Sequence, residues 1–110
     1  MRSLVWGEMT QALILLQVQL DRLGLWSEQA PEARRLASRE PFCVDTLSFA
    51  EWLQWIFIPR MTVLAEQGQA LPGPCHLLPM GQQVFVSSPA QQSELLEVLA
   101  RIDQLAARLV

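Results

Sequence analysis

Apolar side chains recur at three- and four-residue steps over two long stretches, one at each end of the chain. Near the amino terminus Met9, Leu13, Leu16, Leu20 and Leu23 share one side of a helical wheel, with Glu8, Gln11, Asp21 and Arg22 elsewhere on it, which is the signature of an amphipathic helix. The spacing predicts a helix from about Ser3 to Leu23. Gly24 ends it by taking the left-handed conformation favoured just past a helix, and Trp26 is expected to fold back over the last turn. At the other end Leu95, Leu99, Ile102, Leu105 (or Ala106) and Leu109 form a second stripe that runs to the carboxyl terminus. Ser88, Pro89 and Gln91 open that helix with a serine cap, a proline at the first helical position and a glutamine at the third.

Between these helices the pattern is less regular. The stretch SEQAPEARRLAS has only Ala33, Leu36 and Ala37 on its apolar side, so it predicts a weakly held helix of two to three turns. The charged run Glu32, Arg34, Arg35, Arg39 and Glu40 reads as a solvated face of mixed sign. A better-marked helix follows. Ser48 and Glu51 match the S-x-x-E capping box, and Leu47 and Trp52 occupy the two positions of a hydrophobic staple, so a helix starts near Phe49. From Phe49 to Ile58 only Glu51 and Gln54 are polar. A helix apolar almost all round is either the buried centre of a bundle or has a second apolar face for a partner.

Pro59 should bend or break this helix, because it lacks an N–H and clashes with the carbonyl four residues back. On an uninterrupted wheel Arg60 falls beside Phe49, Leu53 and Ile56, where an unpaired guanidinium would cost several kcal/mol. Either the kink turns Arg60 to the surface or an acid meets it, and Asp45 is the candidate for a structural ion pair. The helix should run to about Glu66 and stop at Gly68. The segment GQALPGPCHLLPMGQQVFVSSP, rich in proline and glycine, predicts a loop with at most a short helix begun by Pro79, anchored by Leu71, Leu77, Leu78, Met80, Val84 and Phe85. The fold expected is therefore an all-α, single-domain bundle over residues 1–110, with about four helices: two long terminal ones, a proline-kinked central one and a short one.

Composition narrows the function. The chain has 110 residues, 51% hydrophobic and 17% charged, room for one core and an unlikely candidate for disorder. Its longest apolar runs, such as Leu13 to Leu16, are far below the roughly 20 residues of a bilayer span, and the amino-terminal stretch reads as part of the folded domain rather than a targeting segment. A net charge of −3 disfavours strong nucleic-acid binding by bulk electrostatics. All eight basic residues are arginines. The two cysteines, Cys43 and Cys75, sit in apolar surroundings rather than a disulfide framework, as in a reduced, cytoplasmic protein.

Motifs for phosphate binding, acyl transfer and zinc hydrolysis are absent, and no cofactor or catalytic residue is called. Cys75-His76 is the one Cys/His pair, and adjacent residues in a loop seldom converge on a shared atom. Three functions stay open. An accessory or adaptor protein would bind a protein partner through Trp52, Gln54, Trp55, Ile58, Pro59, Arg60 and Met61, among which tryptophan, arginine and methionine are types enriched at interfaces. A homo-oligomeric domain would bury the same surface against its own copy. A small enzyme or ligand binder would use Cys43, Asp45, Arg60, Cys75 or His76.

The string PFCVDTLSFAEWLQWIFIPRM, with LPGPC and LLPMG after it and LGLW before it, resembles the YqcC-like family of small bacterial proteins. That resemblance implies a small four-helix fold, a cytoplasmic protein and no established catalytic residues. Members of the family are often encoded beside a tRNA pseudouridine synthase, so the resemblance suggests an RNA-modifying enzyme as the partner. A synthase places a catalytic aspartate in a large mixed domain that 110 helical residues do not supply, and Asp45 is not assigned that role.

Overall fold

The computed structural model describes residues 2–85 and 89–110, with side chains in the last helix from Ser93 onward; the serine cap expected at Ser88 lies outside the described residues. The fold is all-α. Helix α1 (Arg2–Arg22) and helix α6 (Pro89–Ala107) pack along each other, and both also define the core. Met9, Leu13, Leu16 and Leu20 from α1 meet Leu95, Leu99, Ile102, Leu105, Ala106 and Leu109 from the carboxyl-terminal segment, all buried. Gly24 closes α1 with φ +72, while the Leu25 N–H donates to Leu20 O at 2.8 Å. Trp26 is half-buried and borders a shallow depression with Ile14, Val18 and Asp21, folded back on α1 as expected.

Helix α2 (Ala33–Leu36) is a single turn, shorter than the two to three turns expected. Its small apolar side leaves little to bury. A 3-10 turn (Pro41–Cys43) then leads to the central helix, built from α3 (Phe49–Trp52), a π-helical stretch (Leu53–Phe57) and α4 (Ile58–Gln67). The capping box at its start is complete: Ser48 Oγ accepts from Glu51 N–H at 3.1 Å, and a Glu51 carboxylate oxygen accepts from Ser48 N–H at 2.9 Å. Gly68, with φ +64, ends it.

The π-helical stretch decides which side of the central helix faces inward. The Ile58 N–H reaches back five residues to Leu53 O, so one extra residue is accommodated just before Pro59 and everything after it turns back by about 100°. Phe57 and Met61 therefore take the wheel positions that an α-helix would give Ile56 and Arg60. Phe49, Leu53, Phe57 and Met61 are all buried, and Arg60 is exposed. Of the two outcomes open for Arg60, the helix takes the first, through a change of winding. Among the described residues no ion pair joins Arg60 to Asp45, which instead accepts a hydrogen bond from Ser38 Oγ; the expected structural pair is not formed because the guanidinium is never taken inside.

Helix α5 (Leu77–Val84) is more regular than the loop the sequence suggests, and Pro79 lies in its first turn rather than starting it. Its cap comes from across the bundle. The two carboxylate oxygens of Asp103, on α6, accept from the Leu77 and Leu78 N–H groups, each at 2.9 Å, satisfying two of the donors a helix start leaves open. At Gly81 the α5 backbone comes so close to α6 that an added Cβ would lie 2.6 Å from a Leu99 methyl carbon. The connector after α4 is pinned in turn by the Trp6 indole N–H donating to Gln69 O at 2.8 Å and the Leu71 N–H donating to Leu109 O at 2.8 Å.

Candidate functional site

Three of the seven residues expected to form a docking surface, Trp52, Gln54 and Met61, are used internally. Met61 is 3% exposed and belongs to the core. Gln54 is buried too: its Oε1 accepts from Ser27 N–H at 2.8 Å and its Nε2 donates to Ser27 O at 2.6 Å, so it clamps the connector after α1 onto the central helix. Trp52 is half-buried within a cluster of rings, its centroid 4.9 Å from Phe42, 6.0 Å from Phe49 and 5.4 Å from Phe57. Trp55 and Ile58 are partly exposed, and Pro59 and Arg60 are exposed. The Trp55 Nε1 is buried without a hydrogen-bond partner among the described residues, a loss of about 1–3 kcal/mol for a stranded donor. Of the seven expected residues only Trp55, Ile58, Pro59 and Arg60 keep open surface outside the ring cluster, because the π-helical winding takes Met61 inward and Ser27 occupies Gln54.

Glu51 does more than cap. It also receives the Arg35 guanidinium at 3.1 Å, while Arg35 Nε donates to Thr46 O at 2.8 Å and Thr46 Oγ1 donates to Arg35 O at 2.6 Å. Arg35 therefore ties α2 to the start of the central helix instead of belonging to a purely solvated face.

Beside the ring cluster lies a groove of about 280 Å³ between the central helix and the connector that precedes α5. Phe42, Trp52, Phe57 and Leu64 form one wall, Leu71 to Leu77 the other, with Arg60 and His76 contributing the polar groups. Three residues named from the sequence for a ligand site, Arg60, Cys75 and His76, meet here. Two others do not line it: Cys43 is buried elsewhere and Asp45 is exposed. Phe42 holds its place at a conformational cost, with φ +58 and ψ 17, a left-handed backbone that costs a residue bearing a Cβ roughly 1–2 kcal/mol. Edge-to-face contacts with Phe49 and Trp52 hold the ring there.

The thiol in the groove is not activated. Burial, and secondarily the nearby Asp103 carboxylate, push the Cys75 thiol up to about 11, so near neutral pH it carries its proton and is a poor nucleophile. Among the described residues no group of three His, Cys, Asp or Glu side chains is placed to hold a metal ion, and no helix is long and apolar enough to cross a membrane.

The family described as DUF446, tRNA pseudouridine synthase C, matches residues 8–105. The chain belongs to this YqcC-like family. It is 40% identical over 95 residues to an uncharacterized protein of Haemophilus influenzae, covering 86% of this chain and 89% of that one. It is 34% identical over 82 residues to the uncharacterized protein YqcC of Escherichia coli, covering 74% and 75%. The solution NMR structure of that YqcC protein superposes with a TM-score of 0.83 at 29% identity, over 96% of this chain and 91% of the other. A different kind of match is the tRNA pseudouridine synthase C of Pectobacterium carotovorum, 38% identical over 66 residues, which are 60% of this chain and only 18% of that protein. Membership of the YqcC-like family, the all-α fold and the WLQW-to-IPRM helix thus agree with the reading of the sequence.

Proposed function

We propose that this YqcC-like chain is an accessory protein that binds a protein partner through the exposed part of its central helix, and that the partner is a tRNA pseudouridine synthase. The observation that carries the reading is the match to a segment making up 18% of a longer protein named tRNA pseudouridine synthase C. In that polypeptide a domain like this one is joined to a much larger remainder, and covalent linkage keeps two parts at high effective concentration. Association without such linkage needs a surface on the domain itself. Trp55, Ile58, Pro59 and Arg60 supply such a surface, since tryptophan and arginine at a partly apolar patch are common anchors of interfaces. The net charge of −3 fits a division of labour in which the partner holds the RNA.

The test is affinity purification of the full chain from its native cell. A pseudouridine synthase should co-purify with the wild type and be lost with Arg60→Ala, which leaves the core intact. Strong, salt-sensitive tRNA binding by the chain alone would contradict the reading. A second reading, a homo-oligomer, is supported by the outward face of α1, where Ile14, Leu15 and Val18 are 58%, 51% and 50% exposed. Sedimentation of the purified chain separates the two: a dimer that Val18→Gln dissolves would favour the second.

A further inference from the structure

We propose that the groove between the central helix and the connector before α5 binds a small aromatic monocarboxylate, its ring among Phe42, Trp52 and Phe57 and its carboxylate on Arg60. This site does not depend on the accessory-protein reading. The volume of about 280 Å³ lies just below the usual range of ligand pockets and suits a body of one or two rings. Its wall is built from aromatic rings already set edge-on and tilted to one another, and a further ring extends that arrangement. Phe42, which with its neighbour Cys43 is held at positive φ, completes the wall, and strain of this kind is found where a ligand is clamped.

Charge selects the head group. Arg22, Arg34, Arg35, Arg101 and Arg108 pair with glutamates and Arg2 donates to Gly68 O, whereas Arg39 and Arg60 have no hydrogen bond or ion pair among the described residues, and of these two Arg60 lines the groove. Among the described residues no aspartate or glutamate lines the groove; the acid behind it, Asp103, is occupied by the Leu77 and Leu78 N–H groups. Those same bonds remove the helix-start amides that would favour a phosphate. One guanidinium with its fork of donors is matched by one carboxylate, and the neutral Cys75 thiol does not repel it.

The experiment titrates the full isotope-labelled chain with phenylacetate and indole-3-acetate, following amide and indole N–H resonances, with phenylacetamide as the uncharged arm. Saturable shifts are expected at the Trp52 indole and at the Gly73, Cys75 and His76 amides. Affinity should fall at least tenfold for phenylacetamide and, with phenylacetate, for Arg60→Gln, an exposed position whose folding is checked by unshifted core resonances. Absence of saturation, equal binding of acid and amide, or shifts centred on Ile14 and Val18 instead would overturn the proposal. Because the amide arm uses the wild-type chain, the result stands even if the variant folds poorly.

Discussion

The first helix and the central helix carry comparable loads of apolar residues, yet the bundle treats them differently. Helix α1 turns Met9, Leu13, Leu16 and Leu20 into the core and leaves Ile14, Leu15 and Val18 in solvent. The central helix holds Leu53, Phe57 and Met61 inside, Trp52 among rings and Gln54 under the connector at Ser27, and leaves Trp55 and Ile58 partly covered and Val63 in solvent. The difference arises from neighbours and winding rather than from composition. The central helix has a connector and a ring cluster laid over its flanks, and the π-helical stretch rotates the residue least suited to burial outward. Helix α1 keeps a regular winding, and α6 and α4 cover only part of it.

Substitutions on the two helices should separate accordingly. Leu53→Ala, at a fully buried position, is expected to cost about 2–5 kcal/mol in urea unfolding. A loss below 1 kcal/mol there would mean that the central helix is not the enclosed one. Gln54→Ala strands the Ser27 N–H and carbonyl and should cost about 1–3 kcal/mol, with hydrogen exchange at Ser27 speeding up relative to the core. Trp55→Phe removes a stranded donor while keeping most of the ring, so stability should stay within about 1 kcal/mol of wild type or rise. Ile14→Gln and Val18→Gln, on the open face of α1, should change stability by no more than about 0.5 kcal/mol. Equal damage from the α1 and Leu53 changes would dissolve the contrast.

The Cys75 thiol sharpens the comparison from the side of pH. Its pKa is raised from 9.0 to about 11 in the folded chain. Between those values the unfolded chain has released the proton and the folded chain holds it, so fewer protons are bound unfolded and stability falls as pH rises through the window. The contribution is fully present below 9. Urea midpoints measured across that range should decline in the wild type and decline less in Cys75→Ala.

Much of the fold was legible because its signals are local. Ser48 and Glu51 cap each other within one turn, Gly24 and Gly68 end the helices before them, and the stripe from Leu95 to Leu109 repeats at a fixed step. What escaped the sequence depends on distant partners. Asp103 caps α5 from α6, Arg35 reaches Thr46 and Glu51 across a loop, and Ser27 occupies Gln54; none of these pairs has a spacing that announces it. The exposed Ile14, Leu15 and Val18 were hidden by the better stripe on the opposite side of α1. The groove was half legible: Arg60, Cys75 and His76 stood out as residue types, while their meeting beside Phe42 and Trp52 required the π-helical turn, for which Pro59 was the sole local sign.

That turn fixes which of two adjacent residues lies inside, and the most direct test is a pair of urea unfolding curves for Arg60→Met and Met61→Arg. With the extra residue wound in before Pro59, Arg60→Met should stay within about 0.5 kcal/mol of wild type, whereas Met61→Arg should lose about 3 kcal/mol or more by forcing an unpaired guanidinium into the core. A tolerated Met61→Arg together with an Arg60→Met that stabilises the chain by several kcal/mol would mean that the helix runs in plain α register, and the account of both the central helix and its groove would be wrong.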